Sequence, residues 1–379
     1  MPLVVNNHVV PTTVYHIAGP SPRAPLVYMI PGNPGLSEFY EPFLEELKVL
    51  QPAFEYLCPS HIGFDTLTQS SYGIHGGIVS HTLDEQIAQK ISLLREWIRD
   101  ANAKSGFPVG TTPPPRQVVL MGHSVGAWMV QRIAVAFASD PSVDIKLVAL
   151  LTPTVIDIAK SPRGKSLSTV AGYLSDPGYY LSRVSQLLNW TIPRGALKSA
   201  LSYIMGSPPE IALNAALSLV TKPRIVRQAV DMGKEEMTRI GSDIEPTEIA
   251  GFWHNKNYKI WMFFVKDDHW IASESQERLI ESFKDSPNVQ TVVEASEPAI
   301  AHAFCVRDSA HVARLLGDQI QQIGFSQALD APSTEQRYPG GLTDTATVVV
   351  NTPDYLGERE VLAVDIDRDA SATVPNSST

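Results

Sequence analysis

The sequence predicts an α/β fold: a mostly parallel, twisted sheet with helices on both faces and an inserted helical cap. Three observations lead there. Short runs of apolar and β-branched residues alternate with helix-length amphipathic stretches, as when parallel strands are joined by crossover helices. The alternation lapses for about a hundred residues between Leu151 and Lys259 and then resumes. A serine with glycines two positions to either side, Gly122-His123-Ser124-Val125-Gly126, stands between a strand-like run and a helical one.

In chain order, residues 3–18 read as a hairpin of two strands. Leu26–Ile30 is a short apolar run halted by Pro31-Gly32-Asn33-Pro34-Gly35, and residues 54–58 form another strand that stops at Pro59. Residues 84–101 make an amphipathic helix, with Ile87, Ile91, Leu94 and Ile98 at spacings of three and four. After a break at 111–115, residues 117–121 are a buried-type strand and 127–138 a helix. Residues 145–151, Lys259–Val265 and Val289–Glu294 complete the strands, and 310–320 is a terminal helix.

The interval without strands is punctuated by Pro177-Gly178, Pro193-Arg194-Gly195 and Gly206-Ser207-Pro208-Pro209, which divide it into helical pieces. The domain scheme is therefore core at 1–158 and 256–326, a cap at 159–255 and a tail at 327–379. The tail is rich in Thr, Asp, Pro and Ser and reads as disordered, with an edge strand conceivable at Val348-Val349-Val350.

Composition narrows the function classes. The chain has 44% hydrophobic and 18% charged residues, ordinary globular proportions with ample material for a core. Its net charge of −10 argues against a nucleic-acid partner. Nine acids against three arginines after residue 326 put −6 of that charge in the tail. Two cysteines, Cys58 and Cys305, support neither a disulfide framework nor a four-cysteine zinc site. No secretory signal, no apolar run of bilayer-spanning length and no lipidation motif is visible, so a reducing cytosolic compartment is expected.

Gly122-His123-Ser124-Val125-Gly126 is a G-x-S-x-G in the setting its chemistry requires. A nucleophilic serine must sit on a sharp strand-to-helix turn, crowded enough that its flanks tolerate only glycine, with the N-terminus of the next helix facing the developing oxyanion. The hydroxyl needs a base, and the base needs a carboxylate to orient it. In an α/β-hydrolase these follow in the order Ser, Asp or Glu, His, each just past a strand.

Lys259–Val265 is followed by Asp267 and Asp268, whose side chains leave the strand in opposite directions. Asp268 is preferred, Asp267 is the alternative, and Asp157 after the preceding strand is a third choice. After the last strand, His302 stands in the loop before the terminal helix and fits the base. His311 lies inside that helix, and His269 precedes the last strand. His61, His75 and His81 share one loop region, where surface polarity explains them better than metal ligation. The oxyanion hole is assigned to the backbone N–H groups of Val125 and, from the loop after Leu26–Ile30, Asn33. No metal or organic cofactor is expected.

The segment from Met29 to Gly35 with Phe39-Tyr40, followed by Gly122-His123-Ser124-Val125-Gly126-Ala127, resembles the lipid droplet-associated hydrolase family, a branch of the α/β-hydrolases. Asp268, two residues before Trp270, is similar to that family's acid-bearing stretch, and Ala301-His302-Ala303-Phe304 to its histidine motif. The likeness covers residues 26–326, thinly across the cap. It implies a serine hydrolase of lipid esters, of sterol ester or acylglycerol type, at the cytosolic surface of lipid droplets and endoplasmic reticulum. Pro31-Gly32 replaces the His-Gly usual in the superfamily, a departure shared with the family.

Residues 196–205 and 211–220 are two apolar helical pieces, each too short to span a bilayer. They would form either a hairpin dipping into a lipid monolayer or a cap packed over the site. Two other functions fit the same residues: a soluble small-molecule esterase or thioesterase, and a lipid-droplet scaffold that binds without turnover.

Overall fold

The computed structural model describes residues 4–5, 8–9, 11–66, 80–107, 111–325, 349–350 and 358–363. Among the described residues, strands β1 (Val4–Val5) and β2 (His8–Val9) pair only with each other. The expected two-strand hairpin at 3–18 therefore accounts for only part of that segment, because β3 (Pro11–Ile17) joins the main sheet instead. There follow β4 (Leu26–Ile30), α1 (Glu41–Leu50), β5 (Glu55–Pro59), α2 (Leu83–Lys104), β6 (Arg116–His123), α3 (Val125–Phe137) and β7 (Val143–Leu151).

The cap comprises α4 (Pro162–Tyr173), α5 (Pro177–Thr191), α6 (Arg194–Met205), α7 (Glu210–Thr221) and α8 (Pro223–Arg239). The core resumes with β8 (Lys259–Val265), α9 (Ser273–Phe283), β9 (Val289–Glu294) and α10 (Ser309–Ile323). Two tail segments are strands: β10 (Val349–Val350) falls in the run where an edge strand is conceivable from sequence, and β11 (Glu358–Ala363) is one the sequence reading does not include. The physical reason is the free edge of β3, whose backbone groups β11 pairs antiparallel from Glu358↔His16 to Ala363↔Pro11.

Among the described residues one sheet of nine strands runs β10-β11-β3-β5-β4-β6-β7-β8-β9, parallel from β5 through β9. All five side chains of β4 are buried although they alternate between faces, so helices cover both sides. At the N-terminal end of these strands, buried Arg116 donates to the Ala24 carbonyl and to Glu55, which also accepts from Trp97 at 3.1 Å. At the other end lies the position that matters for function. The chain leaves β4 outward to β5 and returns to β6 on β4's other side, so the β4 and β6 loops diverge across a crevice. Open α/β sheets bind their ligands at such a switch point.

α2 begins with a capping box, Thr82 Oγ1 accepting from Glu85 N at 3.2 Å and Glu85 Oε2 from Thr82 N at 2.9 Å. α8 joins cap to core: Gln228 Nε2 donates to His81 O at 2.8 Å and its Oε1 accepts from His81 N at 2.7 Å. α7 buries Ile211, Ala212, Leu213, Ala215, Ala216 and Leu217, so this piece packs inward, whereas α6 buries none of its residues. No described helix is long and apolar enough to cross a membrane.

Candidate active site

Ser124 ends β6 and opens α3 with φ 55° and ψ −123°, a strained conformation for a residue with a side chain. Close approach of the backbone on both sides sustains it. A Cβ on Gly122 would lie 2.3 Å from Gly126 O, and one on Gly126 would lie 2.4 Å from Ile30 O and from Pro31 O. The Ser124 N–H is held by Leu151 O at 3.0 Å, which fixes the turn against β7.

Asp268 follows β8 after a left-handed turn at Asp267, whose φ is 58°. That turn leaves Asp267 exposed and buries Asp268. One Asp268 oxygen accepts the Trp270 N–H at 2.8 Å, and the other lies 2.7 Å from His302 Nδ1. His302 Nε2 lies 3.0 Å from Ser124 Oγ. With Asp268 accepting from Nδ1–H, the Nε2 lone pair faces the hydroxyl, the tautomer needed to take its proton.

The structure thus brings together Ser124, His302 and Asp268. The remaining candidates lie elsewhere. Asp157 pairs with Lys160 at 2.9 Å and with Arg278 at 3.5 Å. His269 is exposed, and His311 reaches Glu294 at 3.3 Å from α10. His61 corrects the surface reading of the loop histidines. It is fully buried beneath the loop after β4, where a Cβ on Gly35 would lie 2.3 Å from its ring, and burial pushes its pKa well down. His81 lies 3.5 Å from Glu85, and His75 is outside the described residues. Among the described residues no cluster of three or more His, Cys, Asp or Glu could hold a metal ion.

Neither the Val125 nor the Asn33 backbone N–H has an acceptor among the described residues. Val125 directly follows Ser124, and Gly32, the neighbour of Asn33, is close enough that a Cβ there would lie 3.1 Å from Ser124 Cβ. The Asn33 side chain is anchored in the cap, with Nδ2 donating to Ala229 O at 2.9 Å and to Glu236 Oε1 at 2.8 Å. Burial raises the Glu236 pKa to about 8, against the opposing hydrogen bond from Asn33.

Several residues around the site were not singled out from sequence. His123, the second residue of the serine motif, is buried between Tyr40 and the His302 backbone, and burial lowers its pKa to about 3. Thr152 Oγ1 donates to the same His302 carbonyl at 3.2 Å. Neither residue carries a spacing signal of its own.

A family model described as lipid-droplet associated hydrolase matches residues 23–305. The lipid droplet-associated hydrolase of Mus musculus is 26% identical over 299 residues, covering 78% of this chain and 84% of its own. That of Drosophila melanogaster is 27% identical over 305 residues, covering 78% and 89%. A carboxylesterase structure from Nitrososphaera gargenis superposes with a TM-score of 0.52 at 13% identity, covering 85% of this chain and 98% of that one, a likeness of fold.

Proposed function

Since the chain belongs to the lipid-droplet associated hydrolase family, we propose that it is a serine hydrolase of lipid esters, of sterol ester or acylglycerol type, acting at lipid droplets. The observation that carries the reading is the continuous path Ser124 Oγ–His302–Asp268 at 3.0 and 2.7 Å on a strained strand-to-helix turn. His302 takes the hydroxyl proton as Ser124 attacks the ester carbonyl, and Asp268 holds the imidazole in place. The Val125 and Asn33 N–H groups receive the negative charge on the carbonyl oxygen. His302 then protonates the departing alcohol, and water admitted through the same base releases the acyl group from Ser124.

The lipid surface is supported by an inversion in α5. This helix turns small and polar residues toward the protein, with Gly178 and Ser182 buried and Ser185 only 3% exposed. Gly178 packs so closely on α8 that a Cβ would lie 2.6 Å from Asp231 Oδ1. Its apolar residues face outward instead, including Tyr180, Val184, Leu187 and Trp190, the last 84% exposed. Tyr203 and Ile204 of α6 are exposed as well. An outward apolar face of this size marks an interaction site. Residues 162–205 carry five basic side chains against Asp176 alone, in a chain whose net charge is −10. Apolar residues among an excess of basic over acidic side chains, of which Lys198 alone, among the described residues, pairs with an acid, Glu210, suit an interfacial helix on a phospholipid-coated surface. The docking face is thus assigned to α5 and α6, and the inward-packed α7 has no part in it.

The reading is tested by labelling with a fluorophosphonate probe. Covalent capture at Ser124 in the wild type, absent in Ser124→Ala and strongly slowed in His302→Ala, is expected. Labelling unaffected by either substitution would overturn the assignment.

A further inference from the structure

We infer that His123, in one fixed tautomer, and Tyr40 form a positioning pair that ties the oxyanion loop to the loop carrying His302. The inference rests on the roles proposed above for Ser124 and His302. His123 Nε2 lies 2.9 Å from the His302 backbone carbonyl. A carbonyl only accepts, so Nε2 carries the proton, and in a neutral ring Nδ1 then offers a lone pair. Tyr40 O–H donates to that lone pair at 2.7 Å, and its oxygen accepts the Gly32 N–H at 2.8 Å.

Donation therefore runs one way, from Gly32 through Tyr40 and His123 to His302. Reversing the His123 tautomer would leave Nε2 facing a carbonyl with no proton between them, where both groups are buried. Tyr40 is 2% exposed and His123 5% exposed, so bulk water has little access to replace a lost partner. Burial keeps the imidazole neutral, with His302 a further opposing influence on its protonation. The Phe304 ring stands edge-on to it at 5.3 Å.

This chain joins the three segments whose relative placement decides the reaction. Gly32 immediately precedes Asn33 in the oxyanion loop, His123 immediately precedes Ser124, and the last acceptor is the backbone of His302 itself. One ring thus fixes the distance from base to nucleophile and from nucleophile to oxyanion donor. It touches no reacting atom.

The test measures kcat and KM on a soluble p-nitrophenyl acyl ester, per active site titrated with a fluorophosphonate, for His123→Phe, His123→Gln, Tyr40→Phe and the Tyr40→Phe/His123→Phe double variant. His123→Phe keeps the ring volume and removes both hydrogen bonds. It is expected to lower kcat about 100-fold with KM changed less than about twofold, the scale of a misplacement near 1 Å. Gln can both donate to the His302 carbonyl and accept from Tyr40, and is expected to recover about tenfold of that loss. The double variant should be no slower than His123→Phe alone, because both substitutions break one chain.

A kcat per titrated site within about twofold of wild type for His123→Phe would overturn the inference. So would effects of the two single variants that multiply independently. Should His123→Phe fail to fold, Tyr40→Phe and His123→Gln carry the same comparison. Should the wild type show no Ser124-dependent turnover, the proposed function fails while the positioning pair is still decided by ¹⁵N NMR of His123. A protonated Nε2 with a bare Nδ1 supports the pair, and the opposite tautomer or an imidazolium at neutral pH overturns it.

Discussion

Single atoms decide much of the site. Gly126 is a clear case, since a methyl group there would meet the backbone carbonyls of Ile30 and Pro31 at 2.4 Å, and backbone cannot swing aside as a side chain can. Gly126→Ala is expected to destabilise the fold by about 1–3 kcal/mol and to lower turnover, checked by urea denaturation and ester kinetics. Glu236 makes a pH-dependent contribution of its own. Burial raises its pKa from 4.5 to about 8, so the fold binds its proton more tightly than the unfolded chain does. That stabilising contribution is present in full below pH 4.5 and is lost as pH rises toward 8. Glu236→Gln keeps an acceptor for Asn33 Nδ2 and removes the titration. Its melting temperature should exceed wild type by more at pH 8 than at pH 5, and a gap equal at both would contradict the assignment. Ser124, Asp268 and His302 were legible in sequence because each follows a recognisable strand. His123, Thr152 and Glu236 were not, because their partners come from loops and a helix that sequence does not place together.

Helix α5 shows what periodicity conceals. The breaks at Pro177-Gly178 and Pro193-Arg194-Gly195 mark a helical piece in the sequence, and the usual inference sends a helix's apolar stripe inward. Here Gly178, Ser182 and Ser185 allow a close approach to α8, where Arg227 bridges Asp176 at 3.0 Å and Asp231 at 2.5 Å, and the stripe is left outside. The adjacent α6–α7 pair reads from sequence as either a lipid-dipping hairpin or a packed cap; α7 is packed inward and α6 is not, a distinction set by what each helix meets. Leu187→Asp with Trp190→Asp should abolish flotation of the protein with phosphatidylcholine vesicles containing phosphatidylserine. Hydrolysis of a soluble short-chain ester should be unchanged, because the substituted side chains face away from the core. Binding by the wild type should weaken with added salt, as screening of exposed bases requires. Retained flotation in the double variant would remove α5 from the docking face.

At the scale of the whole molecule, strand order creates the site. The switch between β4 and β6 places the Asn33 loop beside Ser124, and β8 and β9, which lie beyond β7 along the parallel sheet, bring Asp268 and His302 to the same edge. Strand positions were readable from sequence because buried parallel strands are nearly continuous apolar runs. The pairing of β11 with β3 was not, since its stability lies in a distant edge and not in its own composition. Above Ser124, Asn33 joins the loop after β4 to α8, and α8 packs on α5, so the proposed docking face and the proposed active site are mechanically connected. The most direct measurement is hydrolysis of a chain-length series of acyl esters, with a sterol ester and a triacylglycerol among them, by wild type and Ser124→Ala. Turnover that requires Ser124 and rises with acyl length is the expected result. Equal rates for the two proteins across the whole series would contradict a serine lipid-ester hydrolase.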